Sequence, residues 1–384
     1  MSFRLPRARE SFMSQSADQP GSDHNASAAE PPAPLSPSEG LPEVTPPSTG
    51  FLMQLFVYPL AIVCAIALVV VLVRWVSTTG SNPYDYVEAL ERGGPERWKA
   101  AYSLAMAMAS TDETIKNDAQ LAARLALVLD RELDQRYDDK DKKTESIHLR
   151  MYLCQALGEF RVDDPLPALL RAASEQLADD EVAARCTAIG AIARLAVNLR
   201  EIDPIDSPEV IEEVLKASRD KETAVVRTAA VALGSLGGPR AIERLKELTS
   251  FDHHPSVRYN ATVKLAGLGQ AASIDVLLEM LDLQNDAMMT IDSIGEDGEA
   301  KPLDEEKYPL LIEQLQDNAR TVILLNALRA AKQLAHKNAS VDRTPLIEAI
   351  EKIVAANLRG QLPRDKADAI HDEAAEVLAE LKKK

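Results

Sequence analysis

From Phe51 to Val73 the chain reads "FLMQLFVYPLAIVCAIALVVVLV", with no charged residue, whereas from Tyr84 onward apolar residues recur at three- and four-residue spacing between charged ones. The two patterns predict different elements. A charge-free run of this length, rising roughly 1.5 Å per residue as a helix, crosses a hydrocarbon core of ~30 Å. A core helix of a globular domain keeps a polar stripe. A cleaved signal peptide has a shorter apolar core behind a basic start, and no small-residue cleavage site follows Val73. Residues 51–73 are therefore expected to form one transmembrane helix, with Pro59 tolerated inside it. Residues 1–50 hold nine of the 22 prolines and little that would form a core, so they are expected to be a disordered tail. Residues 74–83, "RWVSTTGSNP", form a short stalk.

Basic residues bordering a span tend to stay in the cytoplasm. Arg74 and Arg92 follow the span, and no Lys or Arg lies between Phe12 and Val73. This places the C-terminal body in the cytoplasm of a single-pass membrane protein. Arg4, Arg7 and Arg9 oppose that orientation from far up the tail, and a start at Met13 instead of Met1 would remove them.

In the body the helical period itself repeats. "DKETAVVRTAAVALGSLGGPRAIERLKEL" begins at Asp220, and "DHHPSVRYNATVKLAGLGQAASIDVLLEML" begins at Asp252. Arg227 and Arg258 are 31 residues apart, and Leu245 and Leu277 are 32 apart. An earlier copy, "DDEVAARCTAIGAIARLA", aligns Arg185 and Ala188 with the same frame. One such unit is two antiparallel helices that cannot bury both apolar faces alone; stacking neighbours completes the core, which predicts an all-α solenoid. Proline marks helix starts at Asp164-Pro165, Ser207-Pro208, Gly238-Pro239 and Thr344-Pro345. At the first helical position its missing N–H costs nothing. The solenoid is expected over 84–360, with a C-terminal capping helix over 361–384.

The pattern of Asp, then Val-Arg-x-x-Ala, then Leu-Gly and a second helix resembles HEAT repeats, in particular the short bacterial kind related to bilin-lyase repeats. The likeness is best over 220–283, weaker over 179–217, and only periodic over 94–178 and 304–360. It implies a structural ladder of Asp–Arg pairs: Asp179 with Arg185 and Asp252 with Arg258, each six apart, and Asp220 with Arg227, which are seven apart. It also implies that the second helices line a concave surface. A tetratricopeptide array lacks support, because its Trp-x-x-Leu-Gly-x-x-Tyr pattern is missing.

Charge narrows the partner. Net charge is −17, with a pI near 4.9, a surface that repels phosphate backbones and excludes a nucleic-acid partner. On the solvent side of the second helices stand Glu209, Glu212, Glu213, Glu243, Glu247, Asp275 and Glu279, a candidate acidic strip for a basic protein partner. An ordinary charged helix face, with Lys216, Arg244 and Lys246 interspersed, explains the same residues. Residues 286–306, "DAMMTIDSIGEDGEAKPLDEE", break the repeat as an acidic insertion whose spacing fails the EF-hand pattern.

No phosphate loop, His-Glu-x-x-His or Cys-x-x-Cys is present. "GSLGG" (234–238) follows a helix and lacks the Lys of a phosphate loop, so it is expected to be a turn. His253-His254 are expected to be loop residues rather than a metal site. Cys154 and Cys186 are expected to be core residues, and no catalytic, cofactor or metal residue is expected. Together these readings point to a membrane-anchored scaffold or adaptor that binds a protein partner at the bilayer; the alternative is an enzyme or enzyme chaperone related to HEAT-like bilin lyases.

Overall fold

The computed structural model describes residues 50, 60, 63–69, 83–94, 97–110, 113–174, 181–285, 292–294, 300–302 and 306–383. The chain divides into two units, Met1–Trp75 and Val76–Lys384. In the first, the tail expectation for 1–49 and most of the apolar run lie outside the described residues, as does the stalk up to residue 82. The described stretch of the apolar run, 63–69, is helical. Its Val63, Ile66, Leu68 and Val69 are each about three-fifths exposed, at 60%, 59%, 61% and 58%.

The second unit is a stack of helices: α1 (Pro83–Arg92), α2 (Arg97–Ser110), α3 (Glu113–Lys116), α4 (Ala119–Leu133), α5 (Lys140–Leu157), α6 (Leu166–Ser174), α7 (Val182–Leu199) and α8 (Pro208–Ala217). It continues through α9 (Thr223–Leu236), α10 (Gly238–Leu248), α11 (Pro255–Gly267), α12 (Ile274–Leu281), α13 (Pro309–Lys337), α14 (Thr344–Ala355) and α15 (Arg364–Leu381). The first helices of successive pairs, α2, α5, α7, α9, α11 and α13, pack side by side as one layer, which α15 closes. The second helices α4, α6, α8, α10, α12 and α14 form the other layer, and α1 covers the open end against α2 and α4.

Local chemistry sets the boundaries. The Ser207 hydroxyl caps α8 by accepting from the Val210 N–H, with Pro208 in the first turn. Prolines likewise sit in the first turns of α10, α11, α13 and α14. Between α9 and α10, Gly237 and Gly238 take φ of +72° and +84°, a left-handed turn that side chains resist. Of "GSLGG", expected to be a turn throughout, only Gly237 and Gly238 form it; Gly234 to Leu236 are the last residues of α9. Small alanines let the first helices approach closely: Ala188, Ala229, Ala230 and Ala261 are all fully buried. The apolar faces read from the second helices point inward, with Val214, Leu245, Leu248, Leu277 and Leu281 buried.

The core falls into two clusters that meet in α11. Val257, Ala261 and Leu265 face back toward α9, while Tyr259 and Ala266 face forward to α12 and α13. By length and hydropathy α7 would also suit a membrane, but 56% of it is buried and it carries the buried Arg185, so it is the core helix of the stack. One element departs from the all-helical expectation. Inside the acidic insertion, β1 (Asp292–Ile294) pairs antiparallel with β2 (Ala300–Pro302), Ser293 opposite Lys301.

Candidate protein-binding surfaces

The arginines of the first helices do pair with carboxylates: Arg150 and Arg185 across repeats, and Arg258 with the second helix of its own repeat. Arg150 on α5 donates to Glu181, the residue before α7, at 2.8 Å. Arg185 on α7 pairs with Asp220, which precedes α9. Two first-helix arginines also address the second-helix layer: Arg185 reaches the Ala173 carbonyl of α6, and Arg258 the Thr249 carbonyl that ends α10. A cation there meets the unsatisfied carbonyls and negative dipole end of the helix. Arg258 then grips Glu279 on α12 with two hydrogen bonds of 3.1 and 2.5 Å and lies over the Phe251 ring at 4.3 Å.

The six-residue pairings inferred from the resemblance are therefore replaced. Asp179 lies outside the described residues. Asp220 serves Arg185, not Arg227, and Asp252 is exposed while Arg258 turns to Glu279. Arg227 stays on the surface because its expected seat, the end of α8, is already taken. There Arg244 from α10 donates to the Ser218 hydroxyl (2.9 Å) and carbonyl (2.7 Å).

Burial pushes the Asp220 carboxyl up, but the Arg185 guanidinium, the Glu222 N–H and nearby Lys221 outweigh it and hold it below the ordinary carboxylate range.

The acidic strip of the second helices is largely neutralised by the chain itself. Glu212 pairs with Arg240, Glu213 with Lys216 at 3.4 Å, and Glu247 with Arg244 at 2.6 Å. Glu209 accepts from the Ser207 hydroxyl at 2.6 Å. Glu279 does not face solvent as its helical position suggested: it is half-buried, held by Arg258 and by the Tyr259 hydroxyl at 2.8 Å. Burial and that carboxylate push the Tyr259 phenol up to about 12. Glu209, Glu243 and Asp275 are exposed and form no ion pair among the described residues, so three of the seven present uncompensated charge.

The remaining candidates are structural. The His254 ring caps α11 by accepting from the Ser256 N–H at 3.2 Å. Among the described residues no three His, Cys, Asp or Glu side chains are grouped to hold a metal. Burial raises the Cys154 thiol to about 12, and burial also raises that of Cys186, so both are poor nucleophiles.

Sequence reasoning offered no candidate binding surface on the first-helix layer. A groove of ≈ 500 Å³ runs between α9, α11 and α13, lined by Arg227, Val231, Val263, Lys264, Val322 and Asn326 among others, with no carboxylate on its walls. The signal was present in the chain: Gly234, inside a helix, stands where Lys264 of the next repeat crosses.

Residues 174–252, which include α7 to α10, match the family model for HEAT repeats. No curated protein matches the chain. Among solved structures the chain is similar to Kap121p bound to Pho4p, at 12% identity and a TM-score of 0.40, over 77% of this chain and 33% of that one. Kap121p bound to RanGTP gives 12% identity and a TM-score of 0.37, over 78% and 34%. Human deoxyhypusine hydroxylase in complex with glycerol gives 15% identity and 0.27, over 76% and 88%. The chain spans about a third of the length of these Kap121p chains.

Proposed function

We propose that the protein is a single-pass membrane scaffold whose HEAT-like stack holds a protein partner close to the bilayer, without catalysing a reaction. The observation that carries this reading is how the stack disposes of its charge. Its buried arginines are spent on holding the stack together, Arg150–Glu181 and Arg185–Asp220 between repeats and Arg258–Glu279 within one, which leaves two long helical faces with no other structural task. Stacked repeats bind through such extended faces.

The anchor is supported by the apolar run, whose described side chains are about three-fifths exposed within a helix. Exposed aliphatic side chains in such density are stable in lipid rather than in water. Arg74 just beyond the run favours a cytoplasmic body. A stalk of ten residues reaches at most about 35 Å, so the repeats are held near the membrane and a bound partner is concentrated there.

Affinity purification of the full chain from detergent-extracted membranes, with bound polypeptides identified by mass spectrometry, tests the scaffold. A reproducible partner at near-equal stoichiometry is expected; recovery of the chain alone would refute the reading. Orientation is tested separately by protease on spheroplasts: the body should be protected, and its digestion beside an intact cytoplasmic marker would reverse the assignment.

A further inference from the structure

The groove between α9, α11 and α13 is electrically out of character for this chain. The protein carries 60 acidic residues against 43 basic ones, yet the groove has two cations and no carboxylate. Arg227 on α9 is exposed and has no ion pair among the described residues. Lys264 on α11 is half-buried, equally without a carboxylate partner, and the charge that acts on it is another cation, Arg200. Burial first, and Arg200 second, hold the Lys264 amine below the ordinary lysine range.

The fold makes room for that side chain at its stem. Lys264 lies flat over Gly234, where an added Cβ would overlap the lysine Cβ and stand 2.5 Å from its Cγ and 2.7 Å from its Cδ. A half-buried, unpaired ammonium costs desolvation and gains nothing within the fold. Elsewhere the chain pairs such groups: Arg150, Arg185 and Arg258 each have a carboxylate. Val231, Val263, Val322 and Ile323 line the groove with the two cations, and Val322 itself is 56% exposed. Asn318 and Asn326, two turns apart on α13, add amide donors and acceptors suited to a peptide main chain.

We propose that this groove on the first-helix layer is a docking site for a peptide segment of a protein partner that carries carboxylates beside apolar residues. Val231, Val263, Val322 and Ile323 take the apolar side chains, and Arg227 and Lys264 take the carboxylates, which removes the unpaired charge. The inference rests on the scaffold reading for the partner being a protein. It places the contact on the face opposite to the acidic strip and reverses the sign of the partner's charge.

The test uses the full chain in detergent micelles, immobilised and panned against a phage library of random peptides, with affinities of enriched peptides measured by fluorescence anisotropy. Enriched peptides should combine Asp or Glu with aliphatic residues. Affinity should fall with salt and drop about tenfold or more in the double variant Arg227→Glu, Lys264→Met, where the methionine keeps the stem over Gly234. Lys246→Glu on α10, which changes charge on the other layer, should leave affinity unchanged. Enrichment of basic peptides, no enrichment at all, or an unchanged affinity in the double variant would overturn the proposal. So would displacement of the peptides by phosphatidylglycerol vesicles, which would make the groove a lipid headgroup site. Because membrane purification of a partner does not depend on this groove, loss of the peptide site leaves the scaffold reading to its own test.

Discussion

Arg150 and Glu181 meet at 2.8 Å with only 6% and 2% of their side chains exposed, and they join helix α5 of one repeat to the start of α7 in the next. A buried pair of this kind adds little net stability, but removing one partner strands the other charge. Glu181→Ala should therefore destabilise the chain by about 3–5 kcal/mol. Replacing both residues with apolar ones of similar size should recover most of that loss. Denaturant unfolding of the wild type and the two variants in detergent checks the asymmetry, and equal losses in the single and double variants would contradict it.

Asp220 makes the same kind of link, so stability should respond to acid in a defined direction. Its carboxyl sits below the 3.8 of an ordinary aspartate in the folded chain. A depressed folded-state value means that its contribution is complete above the unfolded value and is lost as pH falls through the folded one. The melting temperature should drop below about pH 4, and Asp220→Asn should flatten this part of the profile while lowering stability at neutral pH.

The strip residues should separate into two classes. Glu243→Lys and Asp275→Lys change only exposed charge and should shift stability by less than about 0.5 kcal/mol. Glu279→Lys removes the partner of the buried Arg258 and should cost about 2–4 kcal/mol. Leu245→Ala and Leu277→Ala, at fully buried positions, should each cost about 2–5 kcal/mol. Thermal melts of the five variants distinguish the classes; a Glu279 variant as stable as the Glu243 variant would show that the Arg258 grip is dispensable.

Gly234 should be intolerant for a steric reason. Its backbone is helical, so alanine would ordinarily be favoured there. Overlap with the Lys264 stem makes Gly234→Ala destabilising instead, by about 1–3 kcal/mol. In that background Lys264→Gly should cost less than in the wild type, a coupling that a double-mutant cycle measures directly.

The repeat, its two layers and most helix starts were legible because they are local. Pro208, Pro239 and Pro345 announce first turns wherever the chain folds, and the apolar period of "AIERLKEL" needs no partner to be read. The ladder was only half legible. Arg185 was recognised as a rung, but its carboxylate lies 35 residues on and Glu181 lies 31 beyond Arg150, close to the repeat length itself. Spacing within one repeat cannot reveal a bond between two. The acidic strip misled for a related reason: Arg244 is three residues from Glu247 and on the same helix face, so the charges cancel once side chains are placed. The hairpin of the insertion escaped because three-residue strands are too short to show an alternating pattern. The cationic groove needed three helices from distant parts of the chain, which no single stretch could display.

The proposed tether is tested most directly by following any partner that co-purifies with the chain rather than the chain itself. Cells expressing the full chain, or the same chain lacking residues 51–73, are separated into membrane and soluble fractions, and the purified partner is quantified in each. Deletion should move both the chain and its partner into the soluble fraction while they still co-purify. A deleted chain that remains in the membrane, or a partner whose distribution does not change, would contradict the account.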